Sequence, residues 1–163
     1  MESLDKLVKD LGNLRYDKLV GFIYELASEL EKRDYSFRSW EIYVELGDTA
    51  DALRKANIPL KRAWDICEPY MRGHCGQHSV DLGKPLYEVA KEVSSLGYDK
   101  LVGFVYDLAD DLNKQANKDF FRGRKQLAAC LLDTVDALRN VNVPLKRLCE
   151  RYGNVRKEIK SDS

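Results

Sequence analysis

The residues of this sequence best suited to chemistry are carboxylates. Glu25 falls on one predicted helix, and Glu45 and Asp48 fall on the next, with Asp51 three residues further on. Oxygen ligands on neighbouring helices suit a hard divalent cation such as Mg²⁺, whose octahedral shell phosphate oxygens and water can complete. The second half of the chain carries Asp107, Asp133 and Asp136 at the matching places. A different chemistry is suggested by Cys67, His74, Cys75 and His78, which are zinc-type ligands within a dozen residues. Their spacing, Cys-x6-His-Cys-x2-His, fits no zinc pattern, and adjacent His74 and Cys75 suit one ion poorly. No zinc is expected there, and the stretch reads as a polar linker. A third group is the basic loop Lys118-Asp-Phe-Phe-Arg122-Gly-Arg124-Lys125, in which aromatics interleave with cations as they do where single strands are stacked and held by phosphate. Phe120 and Phe121 are expected to anchor that loop onto the body of the protein. No serine triad and no phosphate-binding glycine loop is present, so no catalytic residue is assigned.

The elements that must position these groups repeat. YDKLVGFIYELA, from Tyr16 to Ala27, recurs as YDKLVGFVYDLA from Tyr98 to Ala109, and DALRKANIPLKR, from Asp51, recurs as DALRNVNVPLKR from Asp136. The offset is 82 residues for the first pair and 85 for the second, so the later copy carries three extra residues between them. Tyr16, Leu19, Val20, Ile23, Leu26, Ala27 and Leu30 recur at three- and four-residue steps and make one apolar helix face. Ile42, Leu46, Thr49, Leu53 and Ala56 do the same on a third helix, from about Phe37 to Ala56. Proline tolerates a first helical turn and disfavours helix at the residue before it, so Pro59 and Pro144 predict the start of a fourth helix in each copy. No stretch alternates at period two. The expected fold is all-α: a tandem duplication of a four-helix module, eight helices packed as a pseudo-two-fold bundle. Residues 1–70 form the first repeat, 71–84 a linker, 85–152 the second repeat, and 153–163 a polar tail.

A duplicated helix is expected to keep its core face and let its outer face drift, yet the outer face is kept too. Asp17, Gly21 and Glu25 lie four residues apart opposite the apolar stripe, and Asp99, Gly103 and Asp107 repeat them. A mid-helix glycine costs about 1 kcal/mol against alanine. Two readings stand. Either another helix crosses closely at Gly21 and Gly103, or the glycines leave a floor between carboxylates for a ligand.

These stretches resemble the all-alpha NTP pyrophosphatases (MazG-like), which pair or duplicate four-helix modules around Mg²⁺ and a nucleoside triphosphate. Their pattern is E-x-x-E on one helix and E-x-x-D on the next. KLVGFIYEL matches the first helix and ELGD, Glu45 to Asp48, the second motif. Carried over by position, the resemblance implies Glu25, Glu45 and Asp48 as metal ligands in the first copy, and Asp107 and Asp133 in the second. The chain departs from the pattern at Phe22 and Phe104, which replace the first glutamate in both copies, and at Cys130. Phenylalanine cannot ligate a metal, so the module reads as one without hydrolysis.

Composition narrows the remaining classes. The chain has 163 residues, 44% of them hydrophobic and 33% charged, with 27 Lys+Arg against 27 Asp+Glu. That balance weighs against phosphate-driven nucleic-acid binding. No apolar run is long enough to span a membrane and MESLDKLVKD is no signal peptide, so no membrane partner, a cytoplasmic location and reduced cysteines are expected. The leading expectation is a non-enzymatic helical protein that binds a protein partner or small ligand and self-associates, with no cofactor. The alternatives are a Mg²⁺-dependent nucleotide pyrophosphohydrolase or nucleotide-binding relative, and nucleic-acid binding through residues 118–125.

Overall fold

A computed structural model describes residues 4–33, 40–70 and 82–161. Among them are six α-helices and no strand: α1 (Leu4–Gly12), α2 (Tyr16–Lys32), α3 (Trp40–Cys67), α4 (Leu86–Ser94), α5 (Tyr98–Phe121) and α6 (Lys125–Ser161), with a 3₁₀ turn at Glu68–Tyr70. The all-α expectation holds, and the expected eight helices are six. None of the described helices is long and apolar enough to cross a membrane.

The missing two boundaries are those drawn at proline. Pro59 lies inside α3 and Pro144 inside α6, and both helices run through. A proline in a helix interior costs about 3 kcal/mol, through a lost hydrogen bond and a clash with the preceding turn. Against that stands an unbroken apolar stripe. Ala50, Leu53, Ala56, Leu60, Ala63 and Cys67 are buried on α3, and Val135, Leu138, Val141, Leu145 and Leu148 on α6. Each fully buried leucine contributes about 1.5–3 kcal/mol, so breaking the helix would forfeit more than the proline costs. A buried asparagine two residues before each proline also ties the helix to its neighbour. Asn57 Nδ2 donates to the Val20 carbonyl at 3.2 Å, and Asn142 Nδ2 to the Val102 carbonyl at 3.3 Å.

The two long helices form the centre. α3 packs along α6, α2 along α3, and α5 along α6. Arg147 pairs with Glu45 and Arg151 with Glu41, each at 3.5 Å. Stepping four residues forward on α6 steps four back on α3, so the two run antiparallel. The short helices are exchanged: α1, from the first half, packs on α5, while α4, from the second, packs on α2. The buried side chains accordingly form one cluster drawn from both halves. At its middle Phe22 and Phe104, both fully buried, meet with ring centroids 6.1 Å apart and planes at 57°.

Candidate functional site

The carboxylates do not gather. Glu45 is buried and its partner is Arg147, a cation the sequence did not single out. Glu25 is half-buried, while Asp48, Asp107 and Asp133 are exposed. Asp51 is exposed and pairs with Arg54 at 3.3 Å, and Arg54 also binds Glu31, whose carboxyl it holds below the usual range. Among the described residues no group of three or more His, Cys, Asp or Glu is placed to hold a metal. Phe22 and Phe104, read from the sequence as gaps in a ligand motif, are buried core residues whose rings meet.

Of the zinc-type residues, His74, Cys75 and His78 lie outside the described residues. Cys67, buried at the end of α3, is disulfide-bonded, which corrects the expectation of four reduced cysteines. Cys130 and Cys149 carry free thiols, and burial, with Asp133 adding to it, pushes the Cys130 thiol up.

Gly21 and Gly103 are not crossed by any helix among the described residues. A Cβ added at either meets nothing within 4 Å. Asp17 is held by Arg15 at 2.9 Å, and Asp99 is exposed. Beside the glycines, on the same outer side of α2 and α5, Tyr24 and Tyr106 are 56% and 61% exposed. Ile58 and Val143, again matching positions of the two halves, are exposed as well.

The basic turn between α5 and α6 is ordered differently from expectation. Phe120 and Phe121 do not tuck in: they are 51% and 85% exposed. What anchors the turn is polar. The Arg124 backbone N–H donates to the Asp119 carbonyl at 2.8 Å, and the Arg124 guanidinium stands 3.4 Å from the Asp119 carboxylate, which is buried. Burial raises the Asp119 carboxyl, and Arg124 opposes that rise. Gly123 turns the chain at φ +85°, in the left-handed region that favours glycine. Lys118, Arg122 and Lys125 remain exposed.

The contacts that lock the exchanged helices were not singled out from the sequence. Arg33 donates to the Ser94 carbonyl at 2.7 Å and to the Leu96 carbonyl at 2.6 Å, and its guanidinium lies 4.4 Å over the Tyr98 ring. At the matching place Gln115 donates to the Gly12 carbonyl and accepts from the Tyr16 hydroxyl at 3.2 Å. Both fill orphan carbonyls at a helix C-terminus. The repeat offset links position 33 to 115, but arginine and glutamine differ, so a comparison by identity passes over them. Gly12 is closely approached across the exchanged helices: its Cβ would stand 1.9 Å from Asp111 Oδ2.

Protein-family models, curated proteins and solved structures offer no match to this chain.

Proposed function

We propose that this chain is a non-enzymatic α-helical binding and assembly protein, whose duplicated halves offer equivalent outer faces to a protein partner, a second copy of the chain being the simplest. The observation that supports this reading is the state of Gly21 and Gly103. Each sits in a helix at a cost of about 1 kcal/mol, each has open space above it, and each stands near an exposed tyrosine. No element among the described residues uses the space, which favours a surface from outside as the reason for an open glycine there. Tyrosine is among the residues that anchor interfaces. The alternative carried by the family resemblance, a Mg²⁺-dependent nucleotide pyrophosphohydrolase, requires Glu25, Glu45 and Asp48 to converge on one ion, and the pairing of Glu45 with Arg147 weighs against it.

Sedimentation velocity over a range of concentrations tests the proposal. Wild type should gain mass with concentration, while Gly21→Leu/Gly103→Leu should remain a single chain with an undiminished melting temperature. A wild type that stays single at every concentration, or a double variant that associates equally well, overturns it.

A further inference from the structure

We propose that the turn joining α5 and α6 is a docking tip for an anionic phospholipid surface. This inference stands on a surface separate from the outer glycine faces and goes beyond the assembly reading. α5 and α6 pack along each other and are joined by three residues, so the turn is the end of a helical hairpin. Its apex shows Phe121 with 85% of its surface in water and Phe120 with 51%, the two rings edge to face at 5.8 Å. Lys118, Arg122 and Lys125, on the same turn, are exposed, and Lys125 lies 6.0 Å over the Phe120 ring.

The display is built rather than incidental. The buried Asp119 carboxylate takes Arg124 inward, so this acid neutralises the one cation that faces the protein and leaves the other three outward. On a chain whose charges balance overall, this is a local excess of positive charge around an apolar point.

Charge complementarity calls for an anionic partner, and shape selects among anionic partners. Single strands are gripped by basic grooves lined with several open ring faces. Here the site is the end of a hairpin. The two rings stand edge to face and Lys125 lies over Phe120, so the tip offers one compact aromatic pair and no row of open ring faces. A bilayer interface needs the opposite form: aromatic rings at headgroup depth, ringed by lysine and arginine. Each such cation near an anionic leaflet is worth roughly a fivefold gain in partitioning, so three together give on the order of a hundredfold. Such a contact is peripheral and asks for no spanning helix.

The test is co-sedimentation of the full chain with phosphatidylcholine vesicles, with and without phosphatidylserine, at low and high salt. Binding should require phosphatidylserine and weaken at high salt. Lys118→Ala/Arg122→Ala/Lys125→Ala should lower partitioning on the order of a hundredfold, and Phe120→Ser/Phe121→Ser should lower it at both salt concentrations. All five side chains are exposed, so circular dichroism and melting temperature should match wild type in both variants. Equal binding to phosphatidylcholine alone, wild-type partitioning by either variant, or binding to a single-stranded oligonucleotide without binding to vesicles overturns the proposal.

Discussion

Gln115 donates its side-chain N–H to the carbonyl of Gly12, 103 residues earlier in the chain, and so fastens the end of α1 to α5. Arg33 performs the matching task on α4, with two carbonyls and a tyrosine ring in place of one carbonyl. Hydrogen bonds to a charged donor contribute about 1.5–3 kcal/mol and neutral ones about 1. Arg33→Ala should therefore cost more stability than Gln115→Ala, about 2–3 kcal/mol against about 1. Arg33→Gln, which copies the other half, should fall between them. Urea unfolding checks the order, and a harmless Arg33→Ala would show that α4 is held by its apolar face alone.

Two glycine substitutions should have opposite signs. At Gly12 an added methyl meets the Asp111 carboxylate, with Oδ2 at 1.9 Å and Cγ at 2.9 Å. Gly12→Ala should destabilise by about 1–3 kcal/mol through overpacking, and Asp111→Ala in the same chain should relieve most of that. At Gly21 the methyl meets open space, so Gly21→Ala should stabilise the single chain by up to about 1 kcal/mol. Melting temperatures of the three variants decide both points.

Because α1 packs on α5 and α4 on α2, neither half should unfold alone. Trp40 and Trp64 both lie in the first half, whereas helicity comes from both halves. Tryptophan fluorescence and far-ultraviolet circular dichroism should give one coincident urea transition. Phe22→Ala, at the meeting of the halves, should lower that single midpoint by about 3–5 kcal/mol of stability. Two separated transitions would contradict the exchanged packing.

Asp111 gives stability a pH dependence of known sign. Burial raises its carboxyl above the usual range, Lys114, Lys118 and Lys9 oppose the rise, and Asp110 adds to it. The folded chain holds this proton more tightly than the unfolded chain. Its stabilising contribution is complete below the unfolded value and is lost as pH rises through the folded one. Asp111→Asn should match wild type in acid and gain on it as pH rises toward neutral. A stability difference that stays flat or reverses across that window refutes the assignment.

Mg²⁺ with a nucleoside triphosphate should leave the melting temperature unchanged. A ligand at about a hundred times its dissociation constant would add about 2.7 kcal/mol, or roughly 5–10 °C for a chain of this size. A Mg²⁺-dependent rise that disappears in Asp48→Ala would restore the pyrophosphohydrolase reading.

Periodicity by itself determined most of the inward face of α2: Tyr16, Leu19, Ile23, Leu26, Ala27 and Leu30 are buried as their spacing requires, and Leu101, Val105 and Leu108 follow on α5. Val20, on the same expected stripe, is only half-buried, while Phe22 and Phe104, left off it, are fully buried. The repeat is also visible in the structure, where Asn57 and Asn142 make matching hydrogen bonds and Ile58 and Val143 are both exposed. Tertiary structure decided the rest. Local rules end a helix at Pro59, but the stripe from Leu53 to Cys67 is buried against other helices, and that energy is invisible in a window of one helix. The exchange of α1 and α4 was hidden for a related reason. α2 and α5 spell nearly the same dozen residues, so each short helix meets the same apolar face on either. Only the three-dimensional path of the chain, with Arg33 and Gln115 to lock it, selects between them. The turn at Phe120 and Phe121 was misjudged because aromatics are usually buried, whereas here the buried Asp119–Arg124 pair supplies the anchor and leaves both rings outside.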